Sequence, residues 1–169
     1  DLDAGNADLA LSPIYSIPAR YLHQVLCDES FAGIARFDHP ILNGPVTIDS
    51  FLEQKHALLS HRSDEKGIID MVLASKGLTR DVAVSVSNFA TLPPLVVETN
   101  VIAVLPRRLA VKADRELPVS MFELPFEVPT VQSKLIWSRA ADRSAMQAWF
   151  RKLVTDIVVG DEIHPQSRN

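Results

Sequence analysis

The sequence predicts an α/β fold in which strands and helices alternate along the chain. In residues 82–86 every second residue is valine and the others are alanine and serine, the period of two expected for a strand with one buried face. Residues 101–105 form an apolar run between Asn100 and Pro106. This run is too short for a helix and is typical of a strand buried on both faces of a parallel sheet.

The residues between these two strands predict a short helix. Thr91 can cap its start, and Pro93 and Pro94 fit its first turn because amides there have no helical partner. Asn100 is predicted to end the helix. Strand, helix and strand form a β-α-β unit, in which ligands usually meet the carboxyl ends of strands and the amino ends of helices.

The rest of the chain supplies further strands and helices. In chain order we predict a strand at 8–11, a loop at 12–20, two apolar segments flanking polar residues 28–30, a helix at 47–54, a strand at 56–60, a helix at 64–76, a helix or loop followed by an extended stretch within 107–124, a proline-rich segment at 124–130, an extended stretch at 131–138 and a final helix. Helix 64–76 has the best-defined termini, because Ser63 and two acids stand at its start and Gly77 at its end.

The final helix carries an apolar stripe at three- and four-residue steps, which predicts that it packs against another element. The stripe consists of Met146, Trp149, Phe150, Leu153, Val154 and Ile157. Trp137 and Trp149 are both expected to be core residues. Residues 161–169 carry no pattern and predict a disordered tail.

Composition restricts the function classes. The chain has 169 residues, 47% hydrophobic and 22% charged, as expected for one soluble globular unit or two small lobes. Its net charge of −4 gives no general attraction for a polyanion, so this stretch is not expected to bind DNA by itself. The single cysteine, Cys27, excludes an internal disulfide and is expected to be a small buried apolar residue. No apolar run approaches the roughly 20 residues of a membrane span.

Several short motifs resemble the effector-binding domains of LysR-type transcriptional regulators. They are the Gly-x-x-Asp-Leu-Ala-Leu pattern of residues 5–11, His39-Pro40, Asn88-Phe89, residues 105–110, Ile136-Trp137-Ser138 and residues 148–151. The sequence is most similar to the branch of this family that senses aromatic compounds, including salicylate-like, nitroaromatic and flavonoid signals.

The resemblance implies a type II periplasmic-binding-protein-like fold of two doubly wound α/β lobes joined by hinge strands. The first lobe is expected to be truncated at its N-terminus, and the DNA-binding winged helix-turn-helix is expected to be absent. Residues 1–28 and 137–160 are then lobe I and residues 29–136 are lobe II, with the hinge at residues 28–30. The resemblance also implies a cytoplasmic protein that self-associates as a dimer or tetramer, to which helix 64–76 contributes.

Two strand-to-helix junctions carry the candidate effector-binding residues. The first junction contains Ser60, His61, Arg62, Ser63 and Lys66. Their hydroxyls and cations, with the helix amides, can hold a carboxylate, although a capped and solvated loop is the alternative interpretation. The second junction contains Asn88 and Phe89, which offer either a polar contact and an aromatic wall or a helix cap and a core residue.

The resemblance adds Thr130 and Ser12 as cleft-lining positions. Since Phe89 offers an aromatic wall and His61, Arg62 and Lys66 offer donors, the expected effector is a planar molecule with a carboxylate or phenolate, such as an aromatic acid. Binding between the lobes is expected to control transcription by favouring one interlobe angle.

Catalysis is not expected, and neither a cofactor nor a metal is implied. The sequence shows no nucleophile beside a base, and the five histidines share no metal-ligand spacing, so structural or surface roles are favoured for them. Arg107 and Arg108 more often form a solvated face than a phosphate site. A solute-binding protein of a transport system, which shares the fold, is the alternative function, and an enzyme on this fold lacks support in the residues.

Overall fold

The structure is a computed structural model that describes residues 2–13, 17–60 and 67–163, with side chains to residue 160. The chain divides into two compact units. Unit 1 comprises Asp1–Glu29 and Thr130–Asn169, and unit 2 comprises Ser30–Pro129.

Strands and helices alternate through unit 2 as the sequence predicts. In chain order the elements are β1 (Ala10–Ser12), β2 (Tyr21–Glu29), β3 (Phe31–Arg36), α1 (Ile48–Leu52), β4 (Lys55–Leu59), α2 (Ile68–Ser75), β5 (Asp81–Val86), α3 (Leu92–Glu98), β6 (Val101–Pro106), α4 (Arg107–Glu116), β7 (Val119–Phe122), β8 (Val131–Ser138) and α5 (Ala145–Ile163). Short 3-10 helices occur at Pro40–Asn43, Phe89–Thr91 and Ala141–Arg143. Thr47 caps α1, since its Oγ1 accepts a hydrogen bond from the Ser50 amide at 3.2 Å.

The five strands of unit 2 form one mixed sheet in the order β5-β4-β6-β3-β7. β4 is parallel to both β5 and β6, whereas β3 is antiparallel to β6 and β7. The expectation that residues 101–105 form a strand within a parallel sheet is therefore only half right. The burial of β6 is as predicted, with Ile102, Ala103 and Leu105 fully buried.

Helices cover both faces of this sheet, which explains the apolar pattern of its strands. On one face, Leu92, Val96, Ala110 and Ala113 of α3 and α4 pack with Ala32, Ile34, Ala103 and Leu105. On the other face, Phe51, Ile69 and Leu73 of α1 and α2 pack with Ala35, Ile102 and Phe122. Gly33 lies opposite Phe122 in the β3–β7 ladder, and a Cβ at Gly33 would lie only 2.2 Å from the Phe122 ring.

The predicted start of α2 requires correction. The helix begins at Ile68 rather than at residue 64, because Gly67 has extended backbone angles (φ −72°, ψ 168°) that a helix cannot pass through. The acid at the helix start is Asp70, whose Oδ2 accepts a hydrogen bond from the Gly67 amide at 3.1 Å. The predicted end is confirmed, since Gly77 follows α2 with φ +71°. Ser63, the predicted cap, lies outside the described residues.

The cap of α3 also differs from the prediction. Thr91 has helical backbone angles and makes no side-chain capping bond. Asn88 serves instead, because its Oδ1 accepts a hydrogen bond from the Ala90 amide at 2.9 Å at the start of the preceding 3-10 helix. The prolines lie in the first turn of α3 as predicted, and the helix ends at Glu98, before Asn100.

Arg80 forms a largely buried ion pair with Asp70 in the first turn of α2. Arg80 donates from Nε to Asp70 Oδ1 at 2.8 Å and from a terminal nitrogen to Oδ2 at 2.9 Å, and its side chain is 2% exposed. Burial alone would raise the pKa of Asp70, but the Arg80 guanidinium and the Gly67 amide outweigh it and lower that pKa. The pair fixes the segment that follows α2 to the first turn of the helix.

Unit 1 contains a three-stranded antiparallel sheet in the order β1-β8-β2. β8 is its central strand, which places residues 130–136 in unit 1 rather than in lobe II. The predicted boundary at residues 136–137 therefore lies too late in the chain. The other division falls between Glu29 and Ser30, within the stretch predicted as a hinge.

One side of α5 packs on this sheet. Val154 and Val158 contact a core of Leu26, Cys27, Leu135 and Trp137. The prediction of burial is confirmed for Trp137 and Cys27 and is wrong for Trp149, whose side chain is 64% exposed. The helix extends to Ile163, beyond the predicted start of the tail at residue 161, and residues 164–169 lie outside the described residues.

Two histidines have the structural roles favoured by the sequence. His39 Nδ1 accepts a hydrogen bond from the Ile41 amide at 3.2 Å, and its Nε2 donates to the Asn100 carbonyl at 3.2 Å. His56 is fully buried beside Phe51, with ring centroids 4.6 Å apart, and donates from Nε2 to the Phe51 carbonyl at 3.0 Å.

Candidate functional site

The carboxyl edge of the unit 2 sheet brings together the two predicted junctions. Ser60 follows β4 and Asn88 lies two residues beyond β5. The strands are parallel and adjacent, with Leu59 opposite Val86, and the Ser60 amide donates to the Val86 carbonyl at 2.9 Å. Ser60 and the Asn88 turn therefore lie side by side on one edge, where strand ends and helix starts expose polar backbone groups.

At the second junction, Asn88 and Phe89 both contribute to the fold and remain partly accessible to solvent. Asn88 is exposed, although its Oδ1 is used by the Ala90 amide. Phe89 is half-buried and packs against the core cluster of α3 and α4. Part of the Phe89 side chain is thus a core contact, as the alternative interpretation holds, and the rest is accessible to solvent.

The positively charged side chains of the first junction belong to residues between 60 and 67 in the sequence. His61, Arg62, Ser63 and Lys66 lie outside the described residues. Ser60 precedes these residues and directly follows β4, and Gly67 follows them and directly precedes α2. Both flanking positions belong to the β4-α2 connection at the carboxyl edge of the sheet.

Two predicted residues belong to unit 1. Ser12 is the last residue of β1 and pairs with Lys134, while Thr130 is exposed and immediately precedes β8. Since β1 and β8 are antiparallel, the end of β1 and the start of β8 lie towards the same edge of their sheet. Glu29, where the chain leaves for unit 2, pairs with Val131 at that edge as well.

Arg107 is a residue of the carboxyl edge that the sequence interpretation assigned to a solvated face. It follows β6, so it occupies in its strand the position that Ser60 occupies in β4. Its guanidinium donates to both oxygens of Glu123 at 2.8 and 2.5 Å, and this pairing raises the pKa of Arg107 and lowers that of Glu123. Its amide donates to the Ser30 carbonyl at 2.8 Å. The position of Arg107 directly after β6, the third of the parallel strands, is the sequence feature that could have placed it at this edge.

Other functional sites are not apparent in the part of the chain that the structure describes. Within residues 2–13, 17–60 and 67–163, three or more His, Cys, Asp or Glu side chains do not cluster in a way that could hold a metal ion. Among the same residues, each helix is too short or too polar to cross a membrane.

Comparison with known proteins identifies the fold and the family. The sequence profile of the LysR substrate binding domain matches residues 1–158. The chain belongs to this family. It is similar to the HTH-type transcriptional regulator SyrM 1 of Sinorhizobium fredii, with 30% identity over 162 residues that cover 95% of this chain and 48% of that protein. The chain thus spans about half the length of the curated relatives it matches.

Solved structures show the same fold. The regulatory domain of MexT, a transcriptional activator of Pseudomonas aeruginosa, has a TM-score of 0.78 and 24% identity, covering 91% of this chain and 76% of that one. The effector-binding domain of QuiR in complex with shikimate has a TM-score of 0.75 and 14% identity, covering 93% of this chain and 74% of that one. The LysR-family chain accordingly has the type II periplasmic-binding-protein-like fold. Its relatives are transcriptional regulators, which disfavours the alternative of a transporter's solute-binding protein.

Proposed function

We propose that this LysR-family domain is part of a longer regulator and senses a small anionic effector at the carboxyl edge of unit 2. Binding of the effector is proposed to control transcription. The observation that carries the proposal is the side-by-side placement of Ser60 and Asn88 at the ends of two adjacent parallel strands. Ligands of open α/β sheets bind at such edges because free amide donors converge there. Ser12 and Thr130 of unit 1 are proposed as effector contacts as well.

The effector class follows from the side chains of the edge. Lys66, Arg62 and His61 supply positive or donor groups in the β4-α2 connection, and Phe89 supplies a partly exposed ring. A planar molecule with a carboxylate or phenolate matches both. The complex of QuiR with shikimate supports a carboxylate on a six-membered ring. Shikimate itself is not aromatic, so the aromatic part of the proposal rests on Phe89 and on the similarity to the branch of the family that senses aromatic compounds.

The regulator is further proposed to act in the cytoplasm on DNA and to self-associate through α2. Met71 on α2 is 64% exposed, so its apolar side chain is accessible to such a contact. A twofold contact uses the same patch on both subunits, so a single exposed helix can contribute to it twice.

Calorimetric titration of the full-length regulator tests the effector site. Salicylate, shikimate and a flavonoid are titrated into wild-type protein and into the variants Lys66→Met and Lys112→Met, the second being a control on α4. We expect Lys66→Met to weaken binding of the anionic compound by about 1.5–3 kcal/mol, the range for a hydrogen bond to a charged group, and to reduce its dependence on ionic strength. Unchanged affinity would remove Lys66 from the site, and tight binding of a neutral aliphatic solute would refute the effector class.

A further inference from the structure

The ion pair between Arg107 and Glu123 lies at the same edge of the unit 2 sheet as Ser60 and Asn88. Arg107 directly follows β6, and Glu123 directly follows β7. β3 lies between these two strands and is antiparallel to both, so its first residues stand beside the last residues of β6 and of β7. The Arg107 guanidinium therefore reaches across the start of β3 to the Glu123 carboxylate.

The register of the parallel strands places Arg107 level with Asn88. Both residues lie two positions beyond the level of Leu59, Arg107 on the β6 side of β4 and Asn88 on its β5 side. Neighbouring strands are about 4.8 Å apart, so the strand ends that carry these two residues are about 10 Å apart, with Ser60 between them. One ring beside Phe89 and an extended arginine side chain together cover this distance.

Arg107 is suited to hold the carboxylate of a ligand. Its side chain is 37% exposed, and a guanidinium presents paired donors that match the two oxygens of a carboxylate. Glu123 now occupies these donors with both of its oxygens, at 2.8 and 2.5 Å. The Glu123 side chain is itself 70% exposed, and among the described residues no other group holds its carboxylate.

Exchange of Glu123 for another carboxylate would cost little. An exposed ion pair contributes little stability, and a carboxylate that is already mostly in water loses no hydration when it is released. The pair of Arg80 with Asp70 is different, because its side chains are only 2% and 17% exposed and its exchange would leave a charge buried. A ligand carboxylate offers Arg107 the same two acceptors, and its ring adds a contact that Glu123 lacks.

We infer that Glu123 stands in for the carboxylate of the effector, which displaces it from Arg107 on binding. Arg107 is then a further effector-binding residue, and it selects for an anion. Glu123 sets a threshold, because any ligand that binds Arg107 must first compete with it. The inference rests on the proposed effector site at this edge of unit 2.

Calorimetric titration of the full-length regulator with salicylate and with shikimate, both carboxylates at pH 7, tests this exchange. Glu123→Gln keeps the size of the side chain but frees Arg107, so it should tighten carboxylate binding about two- to sixfold, the factor that corresponds to an exposed ion pair. Arg107→Gln should weaken binding at least about tenfold because the anion loses a charged donor. The double variant should bind like Arg107→Gln, since Glu123 acts only through Arg107.

The exposed pair of Lys55 with Asp81 provides a matched control. It joins the first residues of β4 and β5, at the opposite edge of the same sheet. Asp81→Asn removes one negative charge, as Glu123→Gln does, and should change the affinity for either carboxylate by less than about 1.5-fold, because charges at that distance are screened. Salicylamide, which has the ring of salicylate without its carboxylate, should bind wild type and Glu123→Gln with affinities within about twofold.

Several outcomes would overturn the inference. They are equal carboxylate affinities of wild type and Glu123→Gln, an equal gain in Asp81→Asn, and a double variant that binds more tightly than Arg107→Gln. If Lys66→Met weakens carboxylate binding while Arg107→Gln and Glu123→Gln leave it unchanged, the proposed site stands and only the exchange is wrong. If neither carboxylate binds to wild type or to Glu123→Gln, the proposed effector class and the exchange are both wrong.

Discussion

The buried imidazole of His56 should make unit 2 sensitive to acid. The ring is fully buried on β4, and its Nδ1 has no partner among the described residues. Burial, which penalises the charged imidazolium, and repulsion by Arg80 lower its pKa from 6.5 to about 4, despite the opposing influence of the Phe51 carbonyl, Asp70 and Asp81. The folded protein therefore keeps His56 neutral at pH values where the unfolded chain protonates it.

The direction and size of the effect follow from this difference in pKa. Between pH 6.5 and about 4 the unfolded state binds a proton that the folded state does not, so the free energy of unfolding decreases as the pH falls. Each pKa unit corresponds to about 1.4 kcal/mol, so the full effect is at most about 3.4 kcal/mol. About 1.8 kcal/mol of it is lost between pH 7 and pH 5. Above about pH 7.5, where the unfolded imidazole is also neutral, the contribution of His56 is constant.

Urea unfolding at pH 7 and pH 5 measures this loss. Circular dichroism is the appropriate signal, because both tryptophans, Trp137 and Trp149, belong to unit 1. His56→Gln keeps a donor for the Phe51 carbonyl but cannot titrate. It should lower stability at pH 7 and lose about 1.8 kcal/mol less than wild type on going to pH 5. The exposed His23→Gln serves as the control and should keep the wild-type response.

The pH response of His56→Gln shows whether His56 causes the acid sensitivity. If His56→Gln and wild type lose the same free energy between pH 7 and pH 5, the acid sensitivity arises elsewhere. The reasoning about a neutral buried imidazole would then be refuted.

Three further variants test the packing and the assembly. Arg80→Met should cost about 3–5 kcal/mol in urea unfolding because it leaves the Asp70 carboxylate, which is only 17% exposed, without its cationic partner. Lys55→Met, which breaks the exposed pair with Asp81, should cost less than about 1 kcal/mol, and equal costs would contradict the role of burial. Gly33→Ala should lower stability by about 1–3 kcal/mol because the new Cβ meets the Phe122 ring, whereas Gly44→Ala meets no atom within 4 Å and should be nearly neutral in the same assay. Met71→Arg should shift the full-length regulator towards monomer in sedimentation velocity, and Leu109→Arg should not; an unchanged monomer fraction for Met71→Arg would exclude α2 from the interface.

Local periodicity was sufficient to predict the order of strands and helices from residue 56 to residue 105. Residues 82–86 and 101–105 form β5 and β6 because their apolar patterns match burial on a covered sheet. The antiparallel placement of β3 beside β6 could not be predicted in this way, since pairing between distant strands leaves no local periodic signal. The position of β8 at the centre of the unit 1 sheet, which moves the boundary to Pro129, was missed for the same reason.

The candidate site shows the same division between local and long-range information. Junction chemistry predicted Ser60 and Asn88, and the parallel pairing of β4 with β5 places them on one edge. The ion pair of Arg107 with Glu123 joins residues 16 positions apart across β3, and neither side chain alone indicates the other. At the start of α2, Ser63 and the two acids that follow it favoured a helix start at residue 64, whereas the backbone angles of Gly67 place the start at Ile68.

The hydrogen bond between the Arg107 amide and the Ser30 carbonyl has a mechanical consequence. It ties the chain's point of entry into unit 2 to the edge that carries Ser60 and Asn88. β3 runs from this point for six residues, which is about 20 Å at roughly 3.3 Å per residue. If unit 2 turned by about 10° around its entry point, atoms near Ser30 would move very little, while atoms at the far end of β3 would sweep through about 3.5 Å. The sheet would then move as a rigid body: the edge that carries Ser60, Asn88 and Arg107 would move least, and the opposite edge would move most.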